Sequence, residues 1–288
     1  MGRVIDGKRI AQEIRDEVKV AVAQLKGARG IVPGLATVLV GDDPASAKYV
    51  GMKRKACEEA GITSFHKEFP AAATHDEVLA HVRKLGADPR VHGILVQLPL
   101  PKQCREAEIL DAVPLKKDVD GFHPLHIGAL AMKGREPDFI PCTPHGVIEL
   151  LKRSDTPIAG ANAVVLGRSN IVGMPVALLL IGENATVTVC HSRTKEVATF
   201  TRNADILVAA IGKAHFVKAS MIKPGATVID VGTNMIDDAA KPGSKRLVGD
   251  VDYESALQIA GAITPVPGGV GPMTIAMLIR NTLRSAAR

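Results

Sequence analysis

Short apolar runs closed by glycine or proline turns recur along this chain and limit it to one class of fold. "GLATVLVG", "GILVQLPLP", "NAVVLG", "ATVTVC", "DILVAAIG" and "ATVIDVG" are all too short for core helices, and most are rich in β-branched residues. Segments of helical length and period lie between them. A run that is apolar at every position is buried on both faces, as in a parallel sheet covered by helices. The alternation therefore predicts an α/β protein.

The alternation occurs twice. In the first half, Lys8–Lys26 reads as an amphipathic helix with Ile10, Ile14, Val18, Val22 and Leu25 on one stripe, and Gly34–Gly41 as a buried strand. A helix follows, with Asp43 as cap, Pro44 in its first turn and Gly61 as its stop. "TSFHKEF" is a strand, His75–Leu85 a helix, and Gly93–Pro101 a strand ended by prolines. Lys116–Pro144 breaks the pattern: rich in Pro, Gly, His and charge, it reads as a partly irregular crossover between domains. The second alternation starts at Asn162, and "ITPVPGGVGPMT" leads into a last helix from about Pro272. The expected architecture is two domains with a cleft between them: an N-terminal α/β/α unit, residues 1–140, and a C-terminal Rossmann-type unit, residues 141–271. The helix 272–288 is expected to pack back on the first.

Composition narrows the class of function. Of 288 residues, 46% are hydrophobic and 23% charged, as in globular proteins. Aromatics are only 3%, so the core is built from Ala, Val, Leu and Ile. The formal charge of +6 favours phosphates or carboxylates as ligands. The basic residues are dispersed, without the stripe that nucleic acid would call for. Cys57, Cys104, Cys142 and Cys190 are far apart and lack metal-ligand spacing, so no metal is expected and free thiols point to a reducing compartment. No apolar run has the length of a membrane span, and the N-terminus lacks a secretory pattern, so the expected location is the cytoplasm.

"NAVVLGRSNIVGMP" is a strand, a glycine turn and a helix start, the junction that places backbone N–H groups at a dinucleotide's diphosphate. Its spacing, Gly167-x-Ser169-x-x-x-Gly173, departs from G-x-G-x-x-G, and alone it is weak. Its context strengthens it, since turns at Gly167, Gly212 and Gly232 fall on one carboxyl edge of the predicted sheet. After "ATVTVC", where NAD enzymes carry an acid, stand His191, Ser192, Arg193, Thr194 and Lys195. With Arg168 in the glycine loop, this basic turn suits the 2′-phosphate of NADP. Ser192 or Thr194 is also readable as an ordinary helix cap.

In "YVGMKRKACEEAG", Tyr49 and Lys53 share one helical face. Pattern alone favours an exposed helix with a basic stripe. The Tyr-x-x-x-Lys pair of short-chain dehydrogenases is excluded by motif order, because here the pair precedes the glycine loop. Gln97 interrupts an apolar strand, where an amide needs a partner. Asp118 and Asp120 stand two apart before Gly121, either one a turn former. Gly51 costs its helix about 1 kcal/mol against Ala, and leaves room for close approach of backbone or ligand.

Together, "YVGMKRKACEEAG", "GILVQLPLP", "KDVDGFHP", "PCTPHG", "GRSNIVGMP" and "ITPVPGGVGPMT" resemble the bifunctional methylenetetrahydrofolate dehydrogenase/methenyltetrahydrofolate cyclohydrolase family, in order and over nearly the whole chain. The resemblance implies NADP-dependent oxidation of 5,10-methylenetetrahydrofolate, then hydrolysis of the methenyl product to 10-formyltetrahydrofolate. It implies a first domain that binds folate and a second that binds NADP, and a homodimer. Carried over, the catalytic set is Tyr49, Lys53, Gln97 and Asp120: Lys53 and its partners serve hydrolysis, and Asp120 holds the pterin. Leu98 and the loop Pro267, Gly268, Gly269 and Gly271 join the folate contacts. Gly167, Arg168, Ser169, Ser192, Arg193 and Thr233 fall on cofactor positions. His126 and Ala129 stand where relatives often carry Asn and Arg, which bears on the folate tail. A dehydrogenase with little cyclohydrolase activity and a non-catalytic folate or nucleotide sensor are the alternative functions.

Overall fold

The computed structural model describes residues 1–238 and 243–288. The chain opens with β1 (Arg3–Val4), α1 (Gly7–Arg29), β2 (Gly34–Val40), α2 (Pro44–Ala60), β3 (Thr63–Phe69), α3 (His75–Ala87) and β4 (Gly93–Val96). Three helices follow: α4 (Glu106–Asp111), α5 (Pro124–Leu130) and α6 (Cys142–Arg153). Next come β5 (Asn162–Leu166), α7 (Gly173–Gly182), β6 (Thr186–Cys190), α8 (Val197–Thr201), β7 (Ile206–Ala209) and β8 (Thr227–Asp230). The chain ends with β9 (Asn234–Asp237), β10 (Lys245–Val248), α9 (Tyr253–Leu257), β11 (Ala262–Ile263) and α10 (Val270–Ala287). No helix among the described residues is long and apolar enough to cross a membrane.

Contacts group the chain into two compact units, Gln12–Cys142 with Ile275–Arg288, and Met1–Ala11 with Thr143–Thr274. This division differs at the N-terminus from the boundaries read in the sequence. The cause is β1, which pairs in parallel with β11 and draws the first residues into the second sheet. A two-residue strand is too short to show a period.

The first unit is built on a parallel sheet of order β3-β2-β4. β2 is central and buried at every position, which explains why Thr37, hydrogen-bonded to the His66 ring at 2.9 Å, is its one polar residue. β3 is an edge strand and largely accessible, as its polar "TSFHKEF" requires. Val38, Ile94, Val78 and Val82 belong to the core that packs this sheet on its helices. α2 begins at Asp43, whose carboxylate accepts from Ser46 N–H at 2.8 Å, and ends at a left-handed Gly61. The strand expected over Gly93–Pro101 stops at Val96, although Gln97 N–H still reaches Val38 O at 2.9 Å. The stretch read as irregular contains α5, started by Pro124 and capped by the His123 ring on Leu125 N–H. Its Pro and Gly content hid a short, well-capped helix.

The second unit carries a six-stranded parallel sheet of order β1-β11-β8-β7-β5-β6. Val164, Leu207, Val228 and Ile263 place its core on the strands that read as continuous apolar runs. The chain steps from β5 to β6 on one side and to β7 on the other, which makes the end of β5 a switch point of the kind where open α/β sheets bind ligands. A separate antiparallel ribbon, β9 with β10, alternates exposed and half-buried residues along β9 and was not apparent in the sequence.

Candidate active site

α2 buries Ser46, Val50, Lys53, Cys57 and Ala60, a stripe of three- and four-residue steps. Lys53 lies on that stripe and is only 8% exposed, so the helix is not the exposed basic surface that pattern alone favours. An ammonium in this position needs a partner. Lys53 Nζ donates to Gln97 Oε1 at 2.9 Å, and Gln97 Nε2 donates to Leu98 O at 2.7 Å. The second bond fixes which end of the carboxamide faces the lysine. Gln97 holds this place because it follows β4 at the carboxyl edge of the sheet, one residue beyond the buried strand. Tyr49, one turn before Lys53, is 38% exposed.

Asp118 and Asp120 take different tasks. Asp118 is the turn former: its backbone carbonyl accepts from Gly121 N–H at 3.0 Å, and its carboxylate accepts from His123 N–H at 2.7 Å. Burial pushes its pKa up to about 6 against the pull of these N–H groups. Asp120 is the carboxylate that interacts with Lys53. Burial lowers the Lys53 amine pKa and raises that of Asp120, and the charge of each partner opposes the other's shift. Burial, not a neighbouring cation, is therefore what brings the lysine toward its neutral form.

Cys142 completes this cluster and was not singled out in the sequence. Its thiol is buried, donates to Val119 O at 3.4 Å, and lies close enough to the Asp120 carboxylate to lower that group's pKa. Val119 O also accepts from Asn281 Nδ2 at 2.8 Å, so its two lone pairs serve the amide and the thiol together. Burial raises the thiol pKa well above the ordinary value, so Cys142 is a neutral donor. "PCTPHG" in the sequence was the available signal.

The loop containing Pro267, Gly268, Gly269 and Gly271 belongs to the other unit, at the start of α10. The Val266–Pro267 peptide is cis, and Gly268 has φ +114°.

In that second unit, a cavity of about 530 Å³ opens at the ends of β5, β6 and β7. Gly167, Arg168, Ser169 and Ser192 line it, as do His191 and Lys213. Gly167 stands at φ +120°, where a Cβ would lie 2.1 Å from Ala210 O. A Cβ on Gly173 would lie 2.3 Å from Gly167 O. The two glycines thus let loop and helix start close on each other, with Ser169 Oγ accepting from Val172 and Gly173 N–H at 3.2 and 3.3 Å. Thr194 Oγ1 accepts from His191 N–H at 2.9 Å and shapes the next turn. Arg193 and Thr233 do not line this cavity. Lys213 does and was missed, although it directly follows the Gly212 turn already read as part of the carboxyl edge.

The structure thus places a buried lysine with half-buried Gln97 and Asp120 in one unit, and a loop-lined cavity carrying Arg168 and Lys213 in the other. Family models described as the tetrahydrofolate dehydrogenase/cyclohydrolase catalytic domain and NAD(P)-binding domain match residues 5–120 and 141–288. The chain belongs to the tetrahydrofolate dehydrogenase/cyclohydrolase family. The first match contains Tyr49, Lys53, Gln97 and Asp120, and the second contains the glycine loop and its cavity. Similar family members include bifunctional protein FolD 2 of Arabidopsis thaliana, 57% identical over 99% of this chain and 96% of its own. Bifunctional protein FolD of Moorella thermoacetica is 54% identical over 99% of both chains. Among solved structures, the Trypanosoma brucei N5,N10-methylenetetrahydrofolate dehydrogenase-cyclohydrolase, complexed with NADP cofactor and inhibitor, is 43% identical with a TM-score of 0.95. That likeness covers 99% of this chain and 97% of the trypanosomal one.

Proposed function

We propose that this chain oxidises 5,10-methylenetetrahydrofolate with NADP and hydrolyses the methenyl product to 10-formyltetrahydrofolate. The observation that carries this reading is the buried Lys53, bonded to Gln97 and facing Asp120, in a family whose names pair a dehydrogenase with a cyclohydrolase.

In the first step a hydride passes from the methylene carbon to the nicotinamide, leaving a cation shared by two nitrogens. No base is needed, so this step rests on placement. In the second, water adds to that carbon and gives one proton to the base; the remaining hydroxyl proton passes to N5 as the carbon–N5 bond breaks, leaving the formyl group on N10. Lys53 is the base for the water, made available by burial. Gln97 aims the amine, and Tyr49 orders the water or stacks on the ring. Asp120 pairs with the N–H edge of the pterin, aided by the Cys142 thiol. Leu98 and Pro267, Gly268, Gly269 and Gly271 contact the folate.

Gly167, Arg168, Ser169 and Ser192 hold NADP, and Arg193 and Thr233 complete the outer contacts. Residues 12–142 thus serve folate, and the glycine-loop unit serves the dinucleotide. The active form is a homodimer. Four free, buried cysteines support a reducing compartment, which we take to be the cytoplasm.

A spectrophotometric assay with methylenetetrahydrofolate and NADP or NAD in parallel tests the reading. NADPH formation with methenyl hydrolysis is expected. Absence of NADP reduction defeats the dehydrogenase assignment, and a preference for NAD defeats the cofactor assignment alone.

A further inference from the structure

We infer that Lys213 binds the 2′-phosphate of the dinucleotide and, with Arg168, makes the pocket select NADP over NAD. The inference rests on the dinucleotide reading above and adds a residue that neither the glycine loop nor the turn after β6 supplies.

The first ground is charge. Arg168 and Lys213 both line the cavity, and no Asp or Glu does. Two cations in one cavity without a lining carboxylate repel each other until an anion arrives.

The second ground is placement. The buried Asp250 carboxylate accepts from the backbone N–H groups of Ile211, Gly212 and Lys213 at 2.7, 3.0 and 2.8 Å. It is 0% exposed and also accepts from Asn234 Nδ2 at 2.9 Å. A turn tied by three bonds to one buried carboxylate is fixed at its base. The side chain leaves that base with Nζ 5.1 Å from the centre of the Phe216 ring, which also lines the cavity. At an accessible site this cation–π contact biases the ammonium but does not retain it against a phosphate.

The third ground is the division of labour among phosphates. The diphosphate of a dinucleotide is satisfied by backbone N–H groups at the glycine loop and helix start. A further phosphate, with a charge near −2, needs side-chain cations. Val197, Ile211 and Phe216 give the same cavity an apolar wall suited to a purine. A lysine beside that wall is at the adenosine end, where the 2′-phosphate is.

The test is binding of two fragments to the whole protein by calorimetry. 2′,5′-ADP carries the 2′-phosphate, and 5′-AMP does not. Lys213→Ala is expected to weaken 2′,5′-ADP roughly 10- to 100-fold and leave 5′-AMP within about twofold. Lys213→Arg should restore most of the loss. In turnover, Lys213→Ala should raise KM for NADP far more than KM for NAD, with little change in kcat. An equal loss for both fragments overturns the inference, because Lys213 would then serve the 5′-phosphate or the fold. No change for either fragment also overturns it. If wild-type protein reduces NADP but the fragment ratio does not move, Lys213 alone is misassigned. If wild-type protein neither binds 2′,5′-ADP nor reduces NADP, the cofactor reading falls with it.

Discussion

The two units solve the binding of polar partners in opposite ways. Around Lys53 the chemistry is inward: the buried lysine bonds Gln97 and interacts with Asp120, and Asn281 bonds the Cys142 thiol beside that carboxylate. At the dinucleotide pocket the chemistry is outward: Arg168, Ser192 and Lys213 are exposed, and what is buried is the backbone scaffold of Gly167, Gly173 and Asp250. Burial is how this lysine moves toward a base, because desolvation disfavours its charged form. Affinity for phosphate asks the reverse, cations kept charged and N–H groups left open for a ligand. Each region would fail at the other's task.

Removing the lysine itself breaks this contrast most sharply. Lys53→Ala is expected to reduce methenyl hydrolysis by roughly 100-fold or more, the usual scale of lost acid–base catalysis. Hydride transfer should survive in part, since it needs position and not a base. Following methenyl decay and NADPH formation separately resolves the two. An equal loss of both, with folate still bound, would remove Lys53 from the role of base.

The converse damage is a methyl group on the scaffold of the other unit. A Cβ on Gly173 falls 2.3 Å from Gly167 O and 2.9 Å from Arg168 N, both backbone atoms that have no side-chain freedom to yield. Displacing the glycine loop by even part of this overlap should raise KM for NADP by about 10- to 100-fold, the equivalent of 1–3 kcal/mol of strain. Hydrolysis of added methenyltetrahydrofolate in the same preparation should be nearly normal. If hydrolysis falls in parallel with dehydrogenation, the two units do not work as separately as their construction suggests.

A subtler change acts on the lysine through its neighbour. Asp120 raises the Lys53 pKa while burial lowers it. Asp120→Asn removes the opposing charge and should lower the lysine pKa further. Hydrolysis requires the neutral amine, so its rate rises as pH passes upward through that pKa. The rising limb of the kcat profile should therefore move to lower pH in Asp120→Asn, even as KM for folate increases. A limb that stays in place would mean that another group titrates.

These contrasts also explain what was legible beforehand. The fold was readable because buried parallel strands such as β2 and β5 are mostly apolar on both faces, and turns at Gly41, Gly61 and Gly167 punctuate them. β1 and β11 were not, since two residues carry no period and pair only through the tertiary fold. The depth of Lys53 was present as a three-and-four spacing of Ser46, Val50, Lys53 and Cys57, but the adjacent Lys48, Arg54 and Lys55 masked it. Cys142 and Asp120 were harder. They are 22 residues apart in number and meet only because the chain turns back between them, so no local pattern joins them. Lys213 was overlooked for another reason: the cavity wall it joins is assembled from three strand ends that only the fold brings together.

The smallest effect separates helix mechanics from ligand space on α2. Gly51 lies within the helix, is exposed, and a Cβ built on it meets no atom within 4 Å. The close protein approach that a mid-helix glycine suggests is absent. Gly51 also stands two residues from both Tyr49 and Lys53, about 200° around the helix from each, so its α-carbon turns away from the face they share. Gly51→Ala should therefore stabilise the protein by roughly 0.5–1 kcal/mol through lower chain entropy in the unfolded state. On that reading the thermal midpoint rises by a few degrees and KM for folate is unchanged. A raised midpoint together with a weaker folate KM would show instead that the glycine leaves room for substrate on this side of α2. The buried Lys53 face would then be only part of the surface that this helix offers to folate.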